Sequence, residues 1–246
     1  MTSKNATQLL PRALDGIGPD PTWSDRAHVI AFGAIGWPWL LKSLSGGRPE
    51  DKQALLARLG LPDTALPNLG SWKADTALLA TIADTIERLR PATVVELGAG
   101  ASTLIAAKAL QLSGGGMLTS FDQHADFVAA TELWLAEHGL SADLRAVGLR
   151  PSPRGWPGYW YDTRRAPERI DLLIVDGPPW TIHPYVRGAA ESLFDRIPVG
   201  GMVLLDDAAR PGERIVARRW RRDWPDFEFR LDKSGTKGTL IGTRLR

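Results

Sequence analysis

A doubly wound α/β fold, with a mostly parallel sheet and an N-terminal helical segment, is the class this sequence predicts. Three observations carry the prediction. Val94 and Val95 are β-branched and apolar and run into Glu96, as a strand buried on both faces requires. Gly98 and Gly100 follow at once and allow a tight turn before a helix start at Ser102. From Ser71 onward, short apolar runs alternate regularly with helical periods.

The elements follow in order. From about Lys4 to Asn68 the chain has helical pieces separated by Gly and Pro: Ser24 to Ala34, Trp37 to Leu44, and Pro49 to Leu59, stopped by Gly60. No motif marks this stretch, so residues 1–70 read as a helical cap or a dimerisation segment and residues 71–246 as the ligand-binding domain. Trp37-Pro38-Trp39 suits either the core of such a cap or a pocket wall. A helix from Ala74 to Leu89 precedes the first strand. Helix Ser102 to Leu112, strand Met117 to Phe121, helix Asp126 to His138 and strand Leu144 to Val147 complete one half of the sheet. Strand Ile170 to Val175, helix Tyr185 to Arg196, strand Met202 to Leu205 and helix Glu213 to Trp224 continue it. Phe227 to Leu231 and Gly238 to Leu245 close it as strands, for which the pattern alone also allows a parallel arrangement.

The glycine loop discriminates among ligands. A dinucleotide fingerprint places a third glycine where Thr103 stands, and Glu96 would set an anion beside a pyrophosphate. A cationic ligand without phosphate removes that conflict. S-adenosylmethionine, with an ammonium and a sulfonium, is such a ligand, whereas the bland alternative is a glycine turn that binds nothing. Asp122, at the carboxyl end of the second strand, suits both hydroxyls of a ribose, and Glu96 and Asp122 converge on one crevice.

On these residues the sequence resembles the class I S-adenosylmethionine-dependent methyltransferases, with a Rossmann-like sheet, from about Ser71 to the C-terminus. Glu96 to Gly100 match their first motif, and Asp122 their ribose-binding acid. The likeness is greatest to a small bacterial group with D-G-P-P after the fourth strand, here Asp176-Gly177-Pro178-Pro179. The same group has D-D-x-x-R-P-G-E after the fifth, here Asp206 to Glu213. The resemblance implies an antiparallel last strand and adenine against the backbone of Gly148 and Leu149. It implies a cofactor site of Glu96, Gly98, Ala99, Gly100, Ser102, Thr103, Asp122, Gln123, Gly148, Leu149 and Asp176.

For the chemistry, Asp176, Asp206 and Asp207 end the fourth and fifth strands and point into one crevice. Three acids so placed raise one another's pKa unless a cation intervenes, and Mg²⁺ with oxygen ligands would relieve them. This arrangement is similar to that of metal-dependent catechol-type O-methyltransferases, in which the metal orients a hydroxyl and lowers its pKa. Two departures stand against it: Asp207 is acidic where those enzymes carry an amide, and the D-G-P-P turn differs. In the competing reading Asp207 pairs with Arg210, Asp206 caps the next segment, and Asp176 stands alone. Without a metal, His183 is the candidate base, because imidazole titrates near neutrality. The expected catalytic set is therefore Asp176, His183 and Asp206, and the expected metal set Asp176, Asp206 and Asp207.

The reading is methyl transfer to a small-molecule acceptor, at a hydroxyl. N-methylation without metal and a non-catalytic binding module are the alternatives. The link from Gly148 to Glu168 carries Trp156, Tyr159, Trp160 and Tyr161, which either stack on ligand or pin the loop to the sheet. Arginines from Arg210 to Arg222, with Trp220 and Trp224, leave RNA as a minor alternative, although an exposed helix face with its tryptophans turned inward accounts for them. A net charge of +2 carries little information about partners, and 43% hydrophobic residues in 246 suffice for one large core. With no cysteine, disulfides and thiol catalysis are excluded. The start is polar, with no basic-then-apolar signal pattern, and Val29 to Leu41 is too short and too broken to span a bilayer. A cytoplasmic enzyme is the expectation.

Overall fold

The protein is described from a computed structural model, which covers residues 23–70 and 73–246. Helices α1 (Trp23–Ser43) and α2 (Pro49–Arg58) lead into α3 (Thr76–Leu89). Then come β1 (Thr93–Leu97), α4 (Ala101–Leu112), β2 (Met117–Asp122), α5 (Ala125–Glu137) and β3 (Asp143–Ala146). A short hairpin of β4 (Leu149–Pro151) and β5 (Tyr159–Tyr161) precedes β6 (Leu172–Val175). A 3₁₀ segment (Val186–Arg196), β7 (Met202–Leu205), α6 (Pro211–Asp223), β8 (Phe227–Asp232) and β9 (Thr239–Arg244) complete the chain.

Seven strands form one sheet in the order β3-β2-β1-β6-β7-β9-β8. The first five in this order are parallel, and β9 runs antiparallel between β7 and β8. This is the doubly wound sheet that the sequence predicts, with the antiparallel last strand that the resemblance implies. Strand order reverses between β1 and β6, so the crevice opens at their carboxyl ends. Side chains alternate across the sheet and build a core on each face. Val94, Leu172 and Ile174 join α3 and α4 on one side, where Leu78, Ile82 and Leu104 are fully buried. Val95, Leu173 and Val175 join Phe194 and Trp220 on the other. Each such buried side chain contributes about 1.5–3 kcal/mol.

Four local expectations are corrected. The two predicted helices from Ser24 to Leu44 are one helix with Pro38 inside it. The glycines read as breaks are contact points instead: a Cβ on Gly33 would come within 3.3 Å of the Trp180 ring, and one on Gly36 would touch Pro211. Docking of the helix therefore overrides local propensity. Trp37 is 58% exposed, so it is neither core nor pocket wall. The link after β3 is not wholly irregular, because Leu149, Arg150 and Pro151 pair with Tyr161, Trp160 and Tyr159. The predicted helix from Tyr185 is a 3₁₀ segment, with Val186 N–H donating to His183 O and Gly188 N–H to Tyr185 O. A short apolar pattern does not separate a period of 3.0 from 3.6. Expectations for residues 1–22, 71 and 72 lie outside the described residues. Among the described residues, no helix is long and apolar enough to cross a membrane.

Candidate active site

The glycine loop is braced from below. Glu96 lies opposite Ser120 in the parallel register of β1 and β2, and Ser120 Oγ donates to Glu96 Oε2 at 2.6 Å. Thr103, in the first turn of α4, donates to the same oxygen at 2.5 Å and accepts from Gly100 N–H at 2.8 Å. The Thr103 hydroxyl thus ties the loop to the strand beneath it. Glu96 is fully buried, and burial raises its pKa from 4.5 to about 7 against the pull of these hydroxyls. Its Oε1 has no hydrogen-bond partner among the described residues.

Gly98 brings the two central strand ends together. Its φ of +101° lies in the region that favours glycine, and a Cβ there would sit 2.8 Å from Gly177 N and 3.0 Å from the Asp176 carbonyl carbon. The loops after β1 and β6 therefore touch, and a cavity of about 540 Å³ opens above them. Asp122 stands on its wall, accepting from Ala99 N–H at 3.2 Å and His124 N–H at 2.9 Å. Burial outweighs these amides and raises its pKa from 3.8 to about 6. Each carboxylate oxygen has a second lone pair, so Asp122 keeps acceptor capacity toward the cavity. Beside it Gln123 lines the cavity with a buried Oε1 that has no hydrogen-bond partner among the described residues.

On the far wall Asp176 presents an Oδ1 without a hydrogen-bond partner among the described residues. Burial, and then the neighbouring Asp206 carboxylate, push its pKa well above the ordinary value. The three predicted acids do come together, one oxygen of each lying within 4.8 Å of the others. Their counter-charge is already present. Arg187, from the 3₁₀ segment, donates to Asp207 Oδ2 at 2.9 Å and to the Asp176 carbonyl at 2.6 Å, and lies 3.6 Å from Asp176 Oδ1. Arg210 sits 2.8 Å from Asp207 Oδ1. Lys237 places its ammonium 3.5 Å from Asp206 and 3.4 Å from Asp207. Burial would raise the pKa of Asp207, but Arg210, Lys237 and Arg187 together hold it well below the carboxylate range. Three cations already face these carboxylates and the buried Glu213 beside them, and an ammonium borders two of the oxygens a divalent ion would need. The residues present do not fit a resident metal.

The remaining predicted site residues fall in different places. Gly98, Ala99, Gly100, Asp122, Gln123, Asp176 and Asp207 line the cavity, while Glu96, Ser102, Thr103 and Asp206 pack behind its wall. Gly148, Leu149 and His183 do not line it. His183 is buried against His28 of α1 and Tyr185, with ring centroids 5.1 and 4.9 Å away. Burial, and then His28, lower its pKa to about 4, so it is neutral at pH 7. Of the loop aromatics, Trp156 pins the hairpin by donating to Glu191 at 2.9 Å under the Arg219 guanidinium. Tyr161 faces the cavity over Gly177. Sequence reasoning missed Arg187 and Lys237. An arginine inside Val186 to Ala190, downstream of one acid cluster and upstream of another, was the available signal for Arg187; Lys237 sits in a turn of ordinary surface composition.

Residues 95–208 match the family model described as a methyltransferase domain. Over most of its length the chain is similar in fold to solved methyltransferases. One from Geobacter sulfurreducens has a TM-score of 0.54 at 17% identity, covering 95% of this chain and 93% of that one. An SAH-bound methyltransferase from Podospora anserina has a TM-score of 0.56 at 12% identity, covering 93% and 99%. An O-methyltransferase from Bacillus cereus in complex with SAH has a TM-score of 0.54 at 13% identity, covering 88% and 99%. The comparison with curated proteins finds no match.

Proposed function

We propose that this chain is an S-adenosylmethionine-dependent methyltransferase acting on a hydroxyl of a small molecule. The observation that carries the reading is a single cavity with Asp122 and the buried Gln123 Oε1 on one wall and Asp176 on the other. Asp122 would hold the ribose hydroxyls and Gln123 a further donor of the same cofactor, above the loops after β1 and β6 that Gly98 lets meet. Bound there, S-adenosylmethionine supplies a methyl group on a sulfonium, open to attack by a nucleophile in line with the breaking bond. Asp176 is the group placed to take the acceptor's proton, since its raised pKa makes it a stronger base than an exposed carboxylate. Leu40 of α1, Leu44 just after it and Trp180 also line the cavity and suit an acceptor with apolar surface. Methyl transfer of this kind relies chiefly on positioning. The O-methyltransferases among the similar folds support the choice of oxygen. Because an amine acceptor needs less help from a base, the alternative of N-methylation separates by experiment.

Calorimetric titration with S-adenosylmethionine tests the cofactor, and Asp176→Asn tests the base. Binding that survives in Asp176→Asn, with transfer to hydroxylated acceptors lost, is the expected result. Transfer that persists in this variant with amines alone would favour nitrogen. Absence of cofactor binding in the wild-type chain would overturn the reading.

A further inference from the structure

The carboxylate trio and the turn between β8 and β9 form one built unit. Asp75 caps α3 by accepting from Leu78 N–H at 2.9 Å, and its other oxygen accepts from Thr236 N–H at 2.7 Å and Lys237 N–H at 3.1 Å. The Lys237 carbonyl in turn accepts from Ala209 N–H, and the Gly238 carbonyl from Ala208 N–H, in the turn that carries Asp206 and Asp207. The backbone of Lys237 is thus fixed at both its amide and its carbonyl. Its side chain is 1% exposed and runs inward to Asp206 and Asp207 rather than out to water. A buried lysine is costly unless paired, and this one is paired twice.

We propose that Lys237 is a built-in cation standing where a divalent metal would otherwise bind, so that the site keeps Asp176, Asp206 and Asp207 together without a metal ion. Lys237 is a positioning residue: it neutralises the Asp206–Asp207 pair from behind and leaves Asp176 free to face the cavity. Removing its charge leaves three carboxylates facing only Arg187 and Arg210, a net negative, oxygen-lined cluster of the kind that hard cations take. The proposal concerns the cluster alone and holds whether or not the cavity serves methyl transfer.

The test is titration of the full chain with Mn²⁺, followed by the electron paramagnetic resonance signal of the free ion. Wild-type protein and Lys237→Arg should leave the ion free, whereas Lys237→Met should bind it at least about tenfold more tightly, because a like charge has been removed from the site. Lys237→Gln is the second variant should Lys237→Met fail to fold, and circular dichroism melting establishes which variants are folded. Mn²⁺ binding by the wild-type chain that Asp206→Asn abolishes would overturn the proposal. So would a folded Lys237→Met or Lys237→Gln that binds no more Mn²⁺ than wild type, since Lys237 would then not be what keeps the ion out.

Discussion

Two groups of buried acids flank the cavity, and they are stabilised in opposite ways. Glu96 and Asp122 are held by neutral donors, hydroxyls for the first and backbone amides for the second. Burial therefore dominates and both pKa values rise, to about 7 and about 6. Asp176, Asp206 and Asp207 are held by full charges on Arg187, Arg210 and Lys237. Asp207 accordingly falls below the carboxylate range, while burial, and then a neighbouring carboxylate, raise Asp176 and Asp206. The first group is underneutralised and suits a ligand that brings positive charge and hydroxyl donors. The second carries its counter-charge within the chain, on Arg187, Arg210 and Lys237.

That contrast breaks most readily at Arg187. Arg187→Ala leaves Asp207 and Asp176 buried with less counter-charge and should cost about 3–5 kcal/mol of stability, read by denaturant unfolding. Loss below about 1 kcal/mol would mean that the cluster reorganises. Next in size is the pH response of Glu96. Its pKa is raised from 4.5 to about 7 in the folded chain, so its favourable contribution is full below 4.5 and is lost as pH rises through 7. Glu96→Gln should flatten the pH dependence of stability across that window by up to about 3 kcal/mol, measured against wild type at each pH. Asp122→Ala follows, weakening S-adenosylmethionine binding by about 1–3 kcal/mol in calorimetry with Lys237 and its partners untouched. Unchanged affinity would remove the ribose assignment. Smallest is the effect of pH on that affinity: burial raises the Asp122 pKa to about 6, so the affinity should rise about twofold between pH 6 and 8 as its carboxylate ionises.

The similar folds, matched over most of the chain at 12–17% identity, show how little sequence the architecture needs. What it needs is pattern, and pattern is local. The run Thr93 to Leu97, the glycines after it and Asp122 at the end of the next strand are each legible from neighbours in sequence. Where a helical period met an internal proline, as in α1, local reasoning split one element in two, because the contacts with Trp180 and Pro211 lie far along the chain.

His183 and Lys237 mark the same boundary. Near neutral pH a loop histidine invites a catalytic role, yet α1 folds over this one and buries it beside His28. A lysine between glycines in a strand-connecting turn reads as solvated, yet Asp75, more than 160 residues earlier, turns it into the core. By itself the sequence determined the strand and helix order, the glycine loop and the convergence of acids at the strand ends, since periodicity and turn chemistry act over a few residues. Only the tertiary structure decided which charges neutralise those acids. Pairing of buried ions depends on distances of 3–4 Å between residues far apart in the chain, which no local pattern encodes.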